Sequence, residues 1–315
     1  MHAVRVEGLT KDYKVGHLIR RRRRALDQLT LAIEEGEVFG LIGPNGAGKT
    51  TTLKLLFGHI FPTAGHGHIL GKPLGDVGVR AEVGYLPENP YFYDYLTGRE
   101  FLDYMGQLGG LRGPERRARV EELLERVGLT AEAGLELRKY SKGMRQRIGI
   151  AQALVNRPRL VFFDEPMSGL DPMGRRQMTL LIQELHRQGV TVFFSSHILP
   201  DVEALCDRVA VLSQGRLVRE GRVSELQELS VESVELVVEH FTDALLRELQ
   251  PLARRVSRSG ARMRLELADA ASVDHALDLV RSKGGRLVSL NPVKQTLEDY
   301  FVREVGASGT VGDQA

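Results

Sequence analysis

The stretch Gly43-Pro44-Asn45-Gly46-Ala47-Gly48-Lys49-Thr50-Thr51 stands directly after the apolar run "EVFGLI" and directly before the helical pattern "TTLKLLFG". Its glycines allow the backbone to curl around an anion with N–H groups pointing inward, and the helix that follows adds the positive end of its dipole. In a loop of this type the lysine, Lys49, reaches the β- and γ-phosphates of a nucleotide, and the hydroxyl of Thr50 is a ligand for Mg²⁺. The alternative is a Gly-rich turn that merely precedes a helix. The Lys-Thr pair and the strand-loop-helix setting favour the phosphate loop, so Gly43 to Thr51 is the expected nucleotide-binding segment.

Outward from this loop, strands alternate with helices. "VRVEGL" and "LTLAI" are strand-like, and "EVFGLIG", "RLVFFDE" and "VTVFFSS" are short, nearly continuous apolar runs of the kind buried on both faces of a parallel sheet. The last two are separated by the helical pattern "MGRRQMTLLIQELHRQG". The expected fold is α/β, a P-loop cassette with a mainly parallel sheet covered by helices. Between about Thr97 and Asn156 strand signals give way to the amphipathic patterns "GREFLDYMGQLGG" and "PERRARVEELLERVGL", which predict an inserted helical subdomain.

A second change falls near Ser230. From there the chain reads strand, helix, strand, strand, helix, strand, the order of a small ferredoxin-like α+β module, followed by a helix "KQTLEDYFVREV" and a Gly-rich tail. The expected domains are 1–229 for the cassette, 230–305 for the accessory module and 306–315 for a disordered tail.

Composition restricts the possible partners. The 315 residues carry 43 Lys and Arg against 41 Asp and Glu, a formal net charge of +2, which implies no polyanion coat, and no specific nucleic acid is expected as a partner. One cysteine, Cys206, excludes an intramolecular disulfide framework and reads as a small buried side chain in a reducing compartment. No segment approaches the roughly 20 apolar residues that span a bilayer, and "MHAVRVEGLT" lacks the apolar core of a signal peptide. A cytoplasmic location is the expectation.

Downstream of the loop, "LVFFDEP" ends an apolar strand in two adjacent carboxylates, Asp164 and Glu165. Ligands of open α/β sheets bind at the carboxyl ends of the strands, beside the phosphate loop. Asp164 suits the Mg²⁺ shell there, and Glu165 suits orienting or deprotonating the attacking water. Without the phosphate loop, a pair of acids capping a helix would be the better reading.

Together these motifs resemble the nucleotide-binding subunit of an ATP-binding cassette transporter, from about Val4 to Val223. The resemblance implies ATP and Mg²⁺ as cofactors, ATP hydrolysis as the activity, and further roles by position. Ser141 and Gly143, in "YSKGM", match the signature turn that binds the γ-phosphate held by a second subunit. Asp171, in "SGLDP", matches the aspartate linking the two sites, and His197, in "SSHIL", the histidine that reads the γ-phosphate. Glu88, in "GYLPE", stands where the family has a glutamine that contacts Mg²⁺ and the attacking water, and Tyr13 matches the aromatic that stacks on adenine, with a core or edge aromatic as the alternative.

The signature departs from the usual Leu-Ser-Gly-Gly-Gln at Tyr140, Lys142 and Met144; the methionine removes most hydrogen-bonding capacity from its position. Further implications are a head-to-tail homodimer around two ATP molecules, a separate integral membrane permease of an exporter, and a peripheral place on the inner face of the cell membrane. The aromatic cluster Tyr91, Phe92, Tyr93 and Tyr95 is the expected permease-docking surface, or else packing for the inserted helices. A soluble cassette ATPase working on nucleic acid or ribosomes is the alternative function, although such proteins generally carry long coiled coils or two cassettes. A catalytically dead regulatory cassette is opposed by Lys49, Asp164 and Glu165.

Two features fall outside the motifs. The run Arg20 to Arg24 interrupts the chain between Tyr13 and the strand at Leu29, and reads as a solvated loop or a contact for anionic lipid headgroups. His66 and His68 flank a glycine; a turn into a strand explains them better than a metal site.

Overall fold

A computed structural model describes residues 1–15, 21–228 and 231–294. They fall into two compact units, Met1–Val223 and a second that begins at Ser224. The first opens with β1 (His2–Val15), β2 (Arg21–Glu34), β3 (Val38–Ile42) and α1 (Lys49–Leu56), followed by β4 (Ala64–Ile69), β5 (Lys72–Pro73) and β6 (Val83–Leu86). Three helices follow in succession, α2 (Gly98–Leu108), α3 (Gly113–Arg126) and α4 (Lys142–Leu154). Next come β7 (Leu160–Asp164), α5 (Pro172–Arg187), β8 (Thr191–Ser196), α6 (Leu199–Leu205), β9 (Arg208–Ser213) and β10 (Arg216–Arg222).

The main sheet has the order β10-β9-β3-β8-β7-β6. Every pair from β9 through β6 is parallel, and β10 closes the edge as an antiparallel hairpin with β9. All residues of β3, β7 and β8 are buried, which is why these strands read as unbroken apolar runs rather than alternating ones. Phe39, Phe162 and Phe193 pack edge to face on one side of the sheet, with centroids 5.6 and 5.7 Å apart.

That side meets a second sheet, which the sequence reading had not separated from the first. β1 pairs antiparallel with both β2 and β4, giving the order β2-β1-β4-β5. One core lies between the sheets, formed by Val4 and Val6 of β1, Leu29 and Leu31 of β2, Leu53 and Leu56 of α1, and Phe39 and Phe162. The opposite face of the main sheet is covered by α5, whose Met178, Leu181, Ile182 and Leu185 recur at helical spacing and are buried.

The hairpin of β1 and β2 corrects the expectation of a loop at the Arg run. Arg21 to Arg24 continue β2 and pair with Val15, Lys14, Tyr13 and Asp12, respectively. The charge is accommodated because Arg24 sits between two carboxylates, 2.9 Å from Asp12 Oδ1 and 2.8 Å from Asp27 Oδ1. Arg20 lies outside the described residues. His66 and His68 fall in β4, paired with Glu7 and Arg5. Cys206 is buried, and burial pushes its thiol pKa well up.

The boundary falls within the first turn of α7 (Val223–Glu228), and the second unit continues with β11 (Val231–Glu239), α8 (Asp243–Leu249), β12 (Ala253–Ser259), β13 (Arg262–Leu267), α9 (Ala270–Ser282) and β14 (Arg286–Lys294). Its sheet order is β12-β13-β11-β14 with every pair antiparallel, the arrangement of a ferredoxin-like module. Leu236, Val238, Met263 and Leu265 from alternate strand positions pack with Leu245 of α8 and Ala276 of α9. The expected final helix beyond Lys294 and the tail lie outside the described residues.

Candidate functional site

The C-terminal ends of β3, β8 and β7 lie side by side, and each is followed by residues singled out in the sequence. Gly43 to Gly48 follow β3, His197 follows β8, and Asp164 ends β7 with Glu165 after it. The loop can take its path only with glycine at certain points. Gly48 has φ 110°, and a Cβ there would stand 2.6 Å from the carbonyl oxygen of Ala25; a Cβ on Gly43 would stand 2.3 Å from the carbonyl oxygen of Leu212. The turn at Gly215 holds the loop from outside through its N–H, which donates to the Ala47 carbonyl at 2.9 Å.

Lys49 is buried, and its ammonium donates to the Gly43 carbonyl at 2.7 Å while lying 3.3 Å from Glu165 Oε1. The other oxygen of Glu165 is 2.8 Å from His197 Nδ1. Glu165 has φ 52°, in the left-handed region, which costs about 1–3 kcal/mol for a residue other than glycine. Its N–H is held by Ser195, through the carbonyl at 3.2 Å and the hydroxyl at 3.1 Å.

Asp164 is buried and receives two hydroxyls on Oδ1, from Ser195 at 2.6 Å and from Thr50 at 3.3 Å. Its Oδ2 has no hydrogen-bond partner although it is buried. Burial pushes the Asp164 carboxyl pKa up; the Ser195 and Thr50 hydroxyls pull it back down. An orphaned carboxylate oxygen beside a threonine hydroxyl is a hard-oxygen donor set of the kind Mg²⁺ takes together with substrate phosphates. Among the described residues no cluster of three or more His, Cys, Asp or Glu forms a cage for a metal by itself. The residues therefore fit Mg²⁺ brought with a nucleotide.

A cavity of about 950 Å³ opens over these groups. Its lining includes Asn45, Gly46, Lys49 and Thr50 of the phosphate loop together with Glu88, Glu165 and His197. Tyr13 also lines it, paired across the hairpin with Arg23 and with the ammonium of Lys11 5.4 Å from its ring centroid. Gly43, Pro44, Ala47 and Asp164 are not among the lining residues; Asp164 reaches the loop through the Thr50 hydroxyl. Ser141, Gly143 and Asp171 do not line the cavity of their own chain. Ser141 instead caps α4, accepting the Met144 N–H at 3.3 Å, and Asp171 caps α5, accepting the Gly174 N–H at 2.7 Å.

Sequence reasoning missed several residues that the fold brings here. Ser195 was hidden inside an apolar run, and only its place two residues before His197 hinted at it. Lys14, Arg23 and Arg24 also line the cavity, because the β1–β2 hairpin carries them over it. The Arg run was visible, but its position beside the phosphate loop was not. The aromatic cluster divides: Tyr91 and Tyr95 are 88% and 70% exposed, whereas Phe92 is 3% exposed and packs edge to face on Phe101 at 5.2 Å.

The family model for "ABC transporter" matches residues 26–168. An ABC transporter ATP-binding protein of Synechocystis is 43% identical over 97% of this chain and 85% of its own length. The bacitracin transport ATP-binding protein BcrA of Enterococcus faecalis is 32% identical, with 98% of each chain covered. Among solved structures, the dimeric post-hydrolysis state of the ATP-binding cassette MJ0796, bound to ADP and Pi, is similar with a TM-score of 0.65 and 28% identity, over 70% of this chain and 98% of that one.

Proposed function

The chain belongs to the ABC transporter family of ATP-binding proteins, and from that premise we propose how its residues bind and hydrolyse ATP. It is the ATP-hydrolysing subunit of an ABC transporter. One observation carries the assignment of roles: Lys49, Thr50, Asp164, Glu165 and His197, far apart in sequence, converge below a single cavity.

Tyr13 offers a ring to the adenine, and the N–H groups from Asn45 to Thr51 receive the phosphates at the start of α1. Lys49 exchanges the Gly43 carbonyl for the β- and γ-phosphates, adding a charge-assisted bond where negative charge develops. Thr50, Asp164 and Glu88 would hold Mg²⁺ with the nucleotide. Bound there, Mg²⁺ supplies charge neutralisation of the phosphate oxygens. Glu165 accepts a proton from water as its oxygen bonds to the γ-phosphorus and the bond to the departing ADP breaks. His197 holds Glu165 Oε2 and steadies the base.

A second copy of the chain is the proposed partner for the half of the site that one chain leaves out. Ser141 and Gly143 start α4 away from their own cavity, which fits a role at the nucleotide of the neighbouring copy. Two copies arranged head to tail would share two sites, with Asp171 between them. Likeness to ATP-binding proteins of transporters leads us to assign membrane coupling to a separate permease, docked near Tyr91 to Tyr95, at the inner face of the membrane; among the described residues no helix is long and apolar enough to cross a membrane. Similarity to proteins named for bacitracin transport supports transport over work on nucleic acid or ribosomes.

ATP titration of the purified chain tests the reading. Lys49→Ala is expected to weaken binding by at least about tenfold, because a charge-assisted phosphate contact is lost. Wild-type affinity in that variant would remove the assignment of the loop.

A further inference from the structure

The parallel register of β7 and β8 sets Asp164 opposite Ser195. Ser195 is 0% exposed, so its hydroxyl must be satisfied by the protein around it. The single hydroxyl proton goes to Asp164 Oδ1 at 2.6 Å, and the oxygen then accepts the Glu165 N–H at 3.1 Å. The two uses are compatible, since a hydroxyl carries one donor and two acceptor lone pairs. One side chain thus grips two adjacent acids in opposite senses. The pull on Oδ1, shared with Thr50 at 3.3 Å, leaves Asp164 Oδ2 as the free oxygen, and the bond to the N–H helps hold Glu165 in its left-handed conformation. The next residue, Ser196, turns to the local backbone instead and accepts the Ile198 N–H at 3.0 Å.

We propose that Ser195 is a positioning residue for ATP hydrolysis: its hydroxyl orients Asp164 toward Mg²⁺ and holds the backbone of Glu165 so that its carboxylate meets the attacking water. The inference rests on the roles assigned above to Asp164 and Glu165. It predicts that losing the hydroxyl harms the metal-dependent steps while sparing nucleotide binding without metal, which belongs to the phosphate loop.

The test uses the full chain as wild type, Ser195→Ala and Ser195→Thr, with Thr191→Val as the control. Thr191 lies at the opposite end of β8, where its hydroxyl accepts the Gly36 N–H at 2.9 Å, so it reports on losing a buried hydroxyl from the same strand. Two quantities are measured besides turnover: the affinity for a non-hydrolysable ATP analogue without metal, and the Mg²⁺ concentration at the midpoint of thermal stabilisation with that analogue. In Ser195→Ala the Mg²⁺ midpoint is expected to rise, and kcat to fall, by about tenfold each, while metal-free affinity stays within about twofold. Ser195→Thr, which keeps the hydroxyl, should recover most of both, and Thr191→Val should keep the wild-type Mg²⁺ midpoint.

A wild-type midpoint and kcat in Ser195→Ala would overturn the proposal. Equal loss of metal-free affinity would overturn it too, by showing general damage to the site. A folded Ser195→Thr no better than Ser195→Ala would reduce Ser195 to packing. Asp164→Asn and Glu165→Gln are measured alongside. If they are inactive while Ser195→Ala is normal, only the role of Ser195 falls; if both turn over normally, the assignment of the acids falls first.

Discussion

Oε2 of Glu165 lies 2.8 Å from His197 Nδ1 while Oε1 of the same carboxylate lies 3.3 Å from Lys49 Nζ, so one acid is suspended between the phosphate loop and the end of β8. Replacing it by its amide keeps the shape and one acceptor oxygen but removes the base. Glu165→Gln should therefore bind ATP as the wild type does, while phosphate release falls by about 10²-fold or more. The variant should also accumulate as an ATP-dependent dimer in size-exclusion chromatography. Wild-type phosphate release would move the base elsewhere, with Glu88 the next candidate.

Because Ser141 and Gly143 do not reach the cavity of their own chain, lesions in two different chains can complement each other. Ser141→Arg and Lys49→Ala should each lack turnover as homodimers. A mixed dimer would hold one site carrying both lesions and one intact site. Partial recovery of ATPase activity on mixing is the expected result; continued silence, with dimer formation verified, would argue against shared sites.

Arg23 faces Tyr13 across the hairpin and lines the cavity, whereas Arg24 is committed to Asp12 and Asp27. Arg23→Glu replaces a cation with an anion on the lining of the proposed nucleotide cavity. ATP affinity should drop by about tenfold at low salt, and the difference should shrink as salt screens the charge. Equal affinities across the salt series would show that Arg23 does not sense the nucleotide.

The four aromatics from Tyr91 to Tyr95 should separate by burial. Phe92→Ala empties a packed site beside Phe101 and is expected to cost about 3–5 kcal/mol of unfolding free energy, read by denaturant titration. Tyr91→Ala and Tyr95→Ala should leave melting temperature and basal ATPase nearly unchanged but weaken co-purification with the permease. A large loss of stability in the tyrosine variants would make those rings structural and move the docking surface.

Features that depend on neighbours along the chain were legible in the order of the amino acids. The phosphate loop was legible because Gly43, Gly48, Lys49 and Thr50 act at fixed spacing between a strand and a helix. β3, β7 and β8 were legible because burial on both faces leaves an unbroken apolar run, and the acids at the end of β7 followed from that reading. The helices α2 to α4 and the strand order along the second unit were equally local signals.

Pairings between distant segments became visible only in the folded chain. Nothing near Arg23 in the chain reveals that the strands of Tyr13 and Leu29 continue as one hairpin, or that this hairpin leans over the phosphate loop. The division between buried Phe92 and exposed Tyr91 depends on where Phe101 of α2 comes to rest. Ser195 is the sharpest case. Its hydroxyl gains meaning only when the register of β8 against β7 sets it opposite Asp164, and a slip of one residue would turn it to the other face of the sheet. Register is set by the whole core packing at once, and for that reason it cannot be read from either strand alone.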